Sequence, residues 1–167
     1  MSTTHVGLGF DVHPFADNLS RSLVLGGVTI EGAGLAGHSD ADAVVHAVAD
    51  AVLGATGFPD LGELFPASDP QWKDASSIEM LRNVADRVAT AGWWVINVDV
   101  VIAAEAPKLG PHVDAMATNV ANALYEARRP MGGGVAVRVK PKRGEGLGFV
   151  GRTEGIATWA VALCEKG

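Results

Sequence analysis

Only one cysteine, Cys164, stands in this chain of 167 residues. That excludes an intramolecular disulfide and a thiolate zinc cluster, and it fits a reducing compartment such as the cytoplasm. Positive charge is scarce. Thirteen Lys and Arg face 19 Asp and Glu, a formal net charge of −6, which argues against nucleic acid as the main partner. No apolar run approaches the ~18 residues of a membrane span. The N-terminus carries neither a basic segment leading into an apolar stretch nor an Arg/Ser-rich transit segment. The expectation is a soluble cytoplasmic protein, with no membrane and no nucleic acid among its partners. No repeat, low-complexity tract or linker divides the chain, so one domain over 1–167 is expected. Nearly half of it, 48%, is apolar and only 19% is charged, enough for a packed core and against disorder.

What is present centres on Gly37-His38-Ser39-Asp40-Ala41-Asp42-Ala43-Val44-Val45-His46 and its continuation to Gly54. Ser39 or Asp40 is a suitable N-cap for a helix that is apolar on nearly every side, and such a helix is normally buried. Asp42, His46 and Asp50 recur at i, i+4 and i+8, one polar stripe in apolar surroundings. Buried acids and imidazoles need partners. A partner set lies upstream. Val6 to His13 alternates as a strand that Pro14 ends, so Asp11 and His13 share one face. Two imidazoles and one carboxylate from two rigid elements make a three-ligand zinc set with a fourth position open. Other divalent transition metals suit it too.

Leu23-Val24-Leu25 and Val28-Thr29-Ile30 around Gly26-Gly27 predict a hairpin. Asp60 to Pro66 reads as a loop or a single helical turn, with Asp60 either an N-cap or a group for a substrate hydroxyl. Ser76 and Glu79 form a capping-box pattern before an amphipathic helix that stops at Gly92. Trp93 to Ala104 is β-prone, and its apolar end suggests a central strand covered on both faces. The loop Ala104 to Gly110 offers backbone groups that could read a flat base edge, and Pro111 opens the next helix. Arg129 to Gly134 reads as a turn, Val135 to Lys140 as the last strand, and the apolar stretch after Gly155 as a closing helix. Lys140, Lys142, Arg143 and Arg152 lie near five glycines, a local site for phosphates in an acidic protein. Glu145 among them could hold a hard cation such as magnesium.

These residues together resemble the 2-C-methyl-D-erythritol 2,4-cyclodiphosphate synthase family. The resemblance is carried by Gly7-Leu8-Gly9-Phe10-Asp11-Val12-His13-Pro14-Phe15, Leu25-Gly26-Gly27-Val28 and Gly37 to Asp42 with His46. Further blocks are Asp60-Leu61-Gly62, Leu64-Phe65-Pro66, Asn97 to Val101, Ala106-Pro107-Lys108, and Glu145 to Phe149 with Arg152, Glu154 and Gly155. It implies an α/β (α+β) subunit with a mixed four-stranded sheet, helices on one face and a small hairpin, assembled as a homotrimer with active sites between subunits. It implies cyclisation of 4-diphosphocytidyl-2-C-methyl-D-erythritol 2-phosphate with release of CMP, in the non-mevalonate isoprenoid pathway.

By that resemblance Asp11, His13 and His46 hold zinc. Glu145 holds a second metal, Mg2+ or Mn2+, with the substrate diphosphate. His38 and Ser39, with Asp60, Leu61, Gly62, Phe65, Pro66, Ala67, Ser68 and Asp69, take the methylerythritol and phosphate end. Ala104, Glu105, Ala106, Pro107, Lys108, Leu109 and Gly110 take the cytosine, while Phe149 and Arg152 lie near the trimer axis. Asp42 and Asp50 become supporting or helix-capping groups. One departure stands out. Pro141-Lys142-Arg143-Gly144-Glu145 replaces the family's usual Ala-Thr-Thr-Thr-Glu, so Arg143 takes a catalytic hydroxyl's place, flanked by Lys142 and Gly144. The alternative function is a zinc-bearing trimer that binds a nucleotide or isoprenoid diphosphate with little turnover.

Overall fold

Twelve residues from Thr3 to Pro14 form strand β1, and twelve from Gly155 to Lys166 form β6, which pairs antiparallel along its whole length. The computed structural model describes residues 2–18, 20–128 and 132–167. Between these strands run β2 (Leu23–Leu25), β3 (Val28–Ile30), α1 (Ala43–Thr56), the single turn α2 (Leu61–Leu64) and α3 (Ser77–Thr90). β4 (Trp93–Ala103), α4 (Val113–Ala123), β5 (Ala136–Lys142) and the single turn α5 (Gly148–Gly151) follow. The main sheet has the order β1-β6-β4-β5, mixed because β4 and β5 are parallel; β2 and β3 make a separate hairpin. Gly26 and Gly27 both have positive φ, 56° and 68°, as a two-residue hairpin turn requires.

α1 lies across β1 and β6, and α3 packs on α1. Its apolar residues are buried on all sides because sheet and helix enclose it. The close approach depends on β1. A Cβ at Gly9 would lie 1.9 Å from the Ala47 carbonyl oxygen, and one at Gly7 1.9 Å from that of Ala51. Leu8, Phe10 and Val12 therefore point to the other face of the sheet, where they stay exposed beside Trp159 and Val161.

Three expectations need correction. The segment after Gly155 is a central strand and not a closing helix: Ile156, Ala160, Ala162 and Cys164 bury one face while Trp159 and Val161 stay exposed. β5 is thus an edge strand, as β1 is on the other side, and β6 is the last strand in sequence. β4 is central but buries only alternate residues in this chain: Val100 and Ile102 are buried, Val101 and Ala103 only partly so. Arg129 to Met131, half of the expected turn, lie outside the described residues.

Candidate active site

The pleat of β1 sends Asp11 and His13 to the same face as Gly7 and Gly9, toward α1. α1 contributes His46 from its first turn. Its N-cap is Asp42, correcting the expected Ser39 or Asp40: the Asp42 side chain accepts from the Val44 and Val45 amides at 3.1 Å. The same carboxylate accepts from the Gly26 amide at 2.8 Å and the Gly27 amide at 2.7 Å. Asp42 thus ties the hairpin to the start of α1 and fixes the height at which His46 meets the strand.

Three ligand atoms converge there. Asp11 Oδ2 lies 2.9 Å from His13 Nε2 and 3.1 Å from His46 Nδ1, and the two ring nitrogens are 3.4 Å apart. Each imidazole has its outer nitrogen occupied. His13 Nδ1 donates to the Ala36 carbonyl at 2.7 Å. His46 Nε2 lies 2.8 Å from Ser77 Oγ and 3.2 Å from Ser39 Oγ. With the rings neutral and the outer nitrogens protonated, both inner ones offer a lone pair beside the carboxylate, the donor set that a divalent transition metal takes; without a metal, a protonated inner nitrogen donates to Asp11 instead. Among the described residues this is the one group of three acids or imidazoles close enough to share an ion. Burial pushes the Asp11 carboxyl up, but the hydrogen bonds from His13 and His46 outweigh it and hold the group well below the usual carboxylate range. Burial lowers the His13 pKa, yet its hydrogen bond and attraction to Asp11 raise it above the ordinary value.

The support around His46 lay hidden in the sequence. Ser77 is fully buried; its hydroxyl donates to Asp40 Oδ1 and its amide reaches Asp40 Oδ2 at 3.0 Å. Asp40 therefore caps α3 from outside, whereas Ser76 makes no side-chain cap and Glu79 pairs with Arg82. The expected capping box is not formed. Arg21 donates to the Ser39 carbonyl.

A cleft of about 340 Å³ opens on the three ligands. His38, Ser39, Leu61, Gly62, Phe65 and Ala67, all expected at the site, line it, together with Trp72 and Met80, which were not. Asp50 lines it too and accepts from the Leu61 amide at 2.8 Å, holding α2 against α1. Asp60 is the N-cap of α2, accepting from the Glu63 amide at 2.8 Å. Asp69 caps the 3-10 turn Pro70–Trp72. Pro66, Ser68 and Asp69 are not among the residues lining the cleft.

A second cleft, about 510 Å³, is lined by all seven residues from Ala104 to Gly110, with Pro111, Pro141, Lys142 and Arg143. The Ala106–Pro107 bond in this loop is cis. Of the four cations expected to cluster, Lys142 and Arg143 share this cleft, while three of the four are tied to carboxylates. Lys140 pairs with Asp99, Arg152 with Glu154, and Arg143 with Glu105. Glu145, at φ 52°, and Phe149 are exposed. β1 and β4 each run antiparallel to β6, and β5 runs parallel to β4. Both clefts therefore lie at the same end of the sheet, with β6 between β1 and β4, roughly 10 Å across.

Residues 4–165 match the model of the YgbB family. The bifunctional enzyme IspD/IspF of Anaeromyxobacter dehalogenans is 50% identical over 157 residues, 94% of this chain and 39% of that protein. This chain thus spans about two fifths of the bifunctional relative. The 2-C-methyl-D-erythritol 2,4-cyclodiphosphate synthase of Bordetella avium is 49% identical over 162 residues, 96% of this chain and 95% of that one. The solved CDP complex of IspF from Plasmodium falciparum superposes with a TM-score of 0.80 at 28% identity, covering 98% of this chain and 96% of that one. With the match running from β1 to the end of β6, the chain belongs to the YgbB family.

Proposed function

We propose that the protein converts 4-diphosphocytidyl-2-C-methyl-D-erythritol 2-phosphate into 2-C-methyl-D-erythritol 2,4-cyclodiphosphate and CMP, as a step of non-mevalonate isoprenoid synthesis. The observation that carries this reading is the convergence of Asp11, His13 and His46 at one cleft, with both outer ring nitrogens already engaged. The relatives' names supply the reaction. The nucleophile, the 2-phosphate, belongs to the substrate, so the chain's work is placement and charge neutralisation. Asp11, His13 and His46 would hold zinc or another divalent transition ion, which when bound polarises the attacked β-phosphate. His38 and Ser39 position the methylerythritol phosphate beside that centre. The loop 104–110 takes the cytosine through backbone groups. Glu145 is exposed and lies outside the Asp11, His13 and His46 group; it would hold Mg2+ or Mn2+, whose charge would neutralise the substrate diphosphate.

The assembly we propose is a homotrimer. Val6, Leu8, Phe10 and Val12 on β1 and Trp159 and Val161 on β6 form one exposed apolar face, with the Phe10 and Trp159 rings 5.1 Å apart. A contiguous patch of this kind marks a protein interface. Joining subunits through it supports active sites in which one chain's metal cleft meets its neighbour's 104–110 loop. Phe149 and Arg152 are placed toward the axis in this reading. Among the described residues no helix is long and apolar enough to cross a membrane. A cytoplasmic location is proposed from the single, buried Cys164, whose thiol burial pushes up to about 12.

Phosphorus NMR of the authentic substrate with protein, Zn2+ and Mg2+ tests the reaction. Cyclic diphosphate with stoichiometric CMP is the expected result. Saturable binding without turnover would favour a diphosphate-binding trimer, and a linear product would point to hydrolysis.

A further inference from the structure

The turn after β5 is built around a carboxylate. Glu105, at the end of β4, has a side chain only 16% exposed, while that of Arg143 is 67% exposed. One Glu105 oxygen, Oε1, accepts from Arg143 Nε at 3.1 Å and from Nη2. The other, Oε2, accepts from the Gly144 amide at 3.0 Å. A forked guanidinium and an adjacent backbone N–H aimed at two oxygens is how proteins hold phosphate and carboxylate anions. The turn admits no bulk at its centre, since a Cβ on Gly144 would lie 2.5 Å from the Gly151 amide nitrogen. Its amide is thereby kept beside the guanidinium. Both partners border the cleft lined by the 104–110 loop.

We propose that Arg143 and the Gly144 amide form an anion site that Glu105 fills in cis, and that a diphosphate must displace Glu105 to use it. Glu105 then acts as a specificity device. It leaves the empty cleft without a free guanidinium and admits only ligands whose phosphates outcompete a carboxylate. Exchange is favourable on physical grounds. An ion pair whose guanidinium stands 67% exposed to solvent is screened, whereas a diphosphate brings more charge and more acceptor oxygens to the same donors. Attraction to Arg143 holds the Glu105 carboxyl below its usual range, so it stays ionised as an internal competitor at neutral pH. The nucleotide part of this inference rests on the proposed function; the anion site does not.

The test is calorimetry of inorganic pyrophosphate, CDP and cytidine binding to the wild type, Glu105→Gln, Arg143→Gln and the double variant. Glutamine at 105 keeps an acceptor for the Gly144 amide. Glu105→Gln is expected to bind pyrophosphate and CDP roughly fivefold more tightly, the worth of one solvent-screened ion pair, with a smaller change for cytidine. In the Arg143→Gln background the same change is expected to shift affinity by less than about twofold. A second measurement needs no variant: the Arg143 Nε–H resonance of the wild type is expected to move as pyrophosphate is added. Unchanged or weaker pyrophosphate binding in Glu105→Gln, an equal gain without Arg143, or an Arg143 resonance that stays still overturns the proposal. If pyrophosphate behaves as expected but CDP and cytidine bind to no variant, the anion site stands and the nucleotide reading falls.

Discussion

Replacing Ser77 by alanine removes one oxygen about a residue's width from the metal ligands, and its effect can be worked out in advance. The hydroxyl accepts from His46 Nε2 at 2.8 Å and passes its own proton to Asp40. Without it, the imidazole loses the partner that keeps the proton on Nε2 and the lone pair on Nδ1, 3.1 Å from Asp11. Loss of such an outer partner typically weakens metal binding about 10–100-fold. Ser39 Oγ, at 3.2 Å from the same nitrogen, can take over part of the role, which places the expectation near the lower end, ~10-fold. The fold should tolerate the change, because Asp40 still receives the residue-77 amide and so still caps α3. The two hydrogen bonds lost with the buried hydroxyl together amount to ~2 kcal/mol. Competition with a chromophoric chelator on metal-stripped protein gives the affinity, thermal unfolding of the stripped protein gives the stability, and 15N shifts of His46 give the tautomer. Undiminished zinc affinity with an unaltered His46 tautomer would refute an orienting role for Ser77.

Asp42→Ala strands four amide donors at once, two of α1 and two of the hairpin turn. A loss of at least ~3 kcal/mol in denaturant unfolding is expected, and one under ~1 kcal/mol would show that the cap and clamp are dispensable. The pH dependence of stability should differ between the metal-free and metal-loaded protein. The His13 pKa is raised above 6.5 when no metal is bound. Its contribution is therefore full below 6.5 and lost as pH rises through the folded value. A bound metal needs the ring neutral, so affinity falls as pH drops through that same value; parallel trends in the two forms would contradict this. Placing lysines at Leu8 and Val161, which face each other across β1 and β6, should convert the proposed trimer to monomer in light scattering. An unaltered mass would move the interface elsewhere.

Local pattern made part of this legible in the chain. The β1 alternation put Asp11 and His13 on one face, two glycines located the hairpin turn, and the buried helix delivered His46. What stayed hidden was settled by contacts distant in sequence. The run Ile156 to Cys164 is apolar and alanine-rich enough to read as a helix, and only pairing with both β1 and β4 makes it a strand. Asp40 and Asp42 look equally able to start α1. The hairpin decides, since its two free amides need a carboxylate and Asp42 reaches them. Asp40 is then left to Ser77, 37 residues away, so a plain capping pattern at Ser76 conceals support for a metal ligand. Arg143 read as a free cation among phosphate-binding glycines because nothing local shows that Glu105, 38 residues earlier, reaches it.

If the metal cleft of one subunit and the 104–110 loop of its neighbour form a single active site, two inactive chains should repair each other. His46→Ala removes a proposed metal ligand and Glu145→Ala the proposed holder of a second cation, each expected to abolish turnover alone. In trimers assembled from equal amounts of both, with Glu145 acting on the side of the 104–110 loop, every mixed ring contains one interface that joins an intact His46 to a neighbour's intact Glu145. Activity should then return to about a quarter of wild type, counting mixed rings and one working site in each. Mixtures no more active than the separate variants, although exchange of subunits is confirmed, would contradict a shared site and place both clefts' chemistry within one chain.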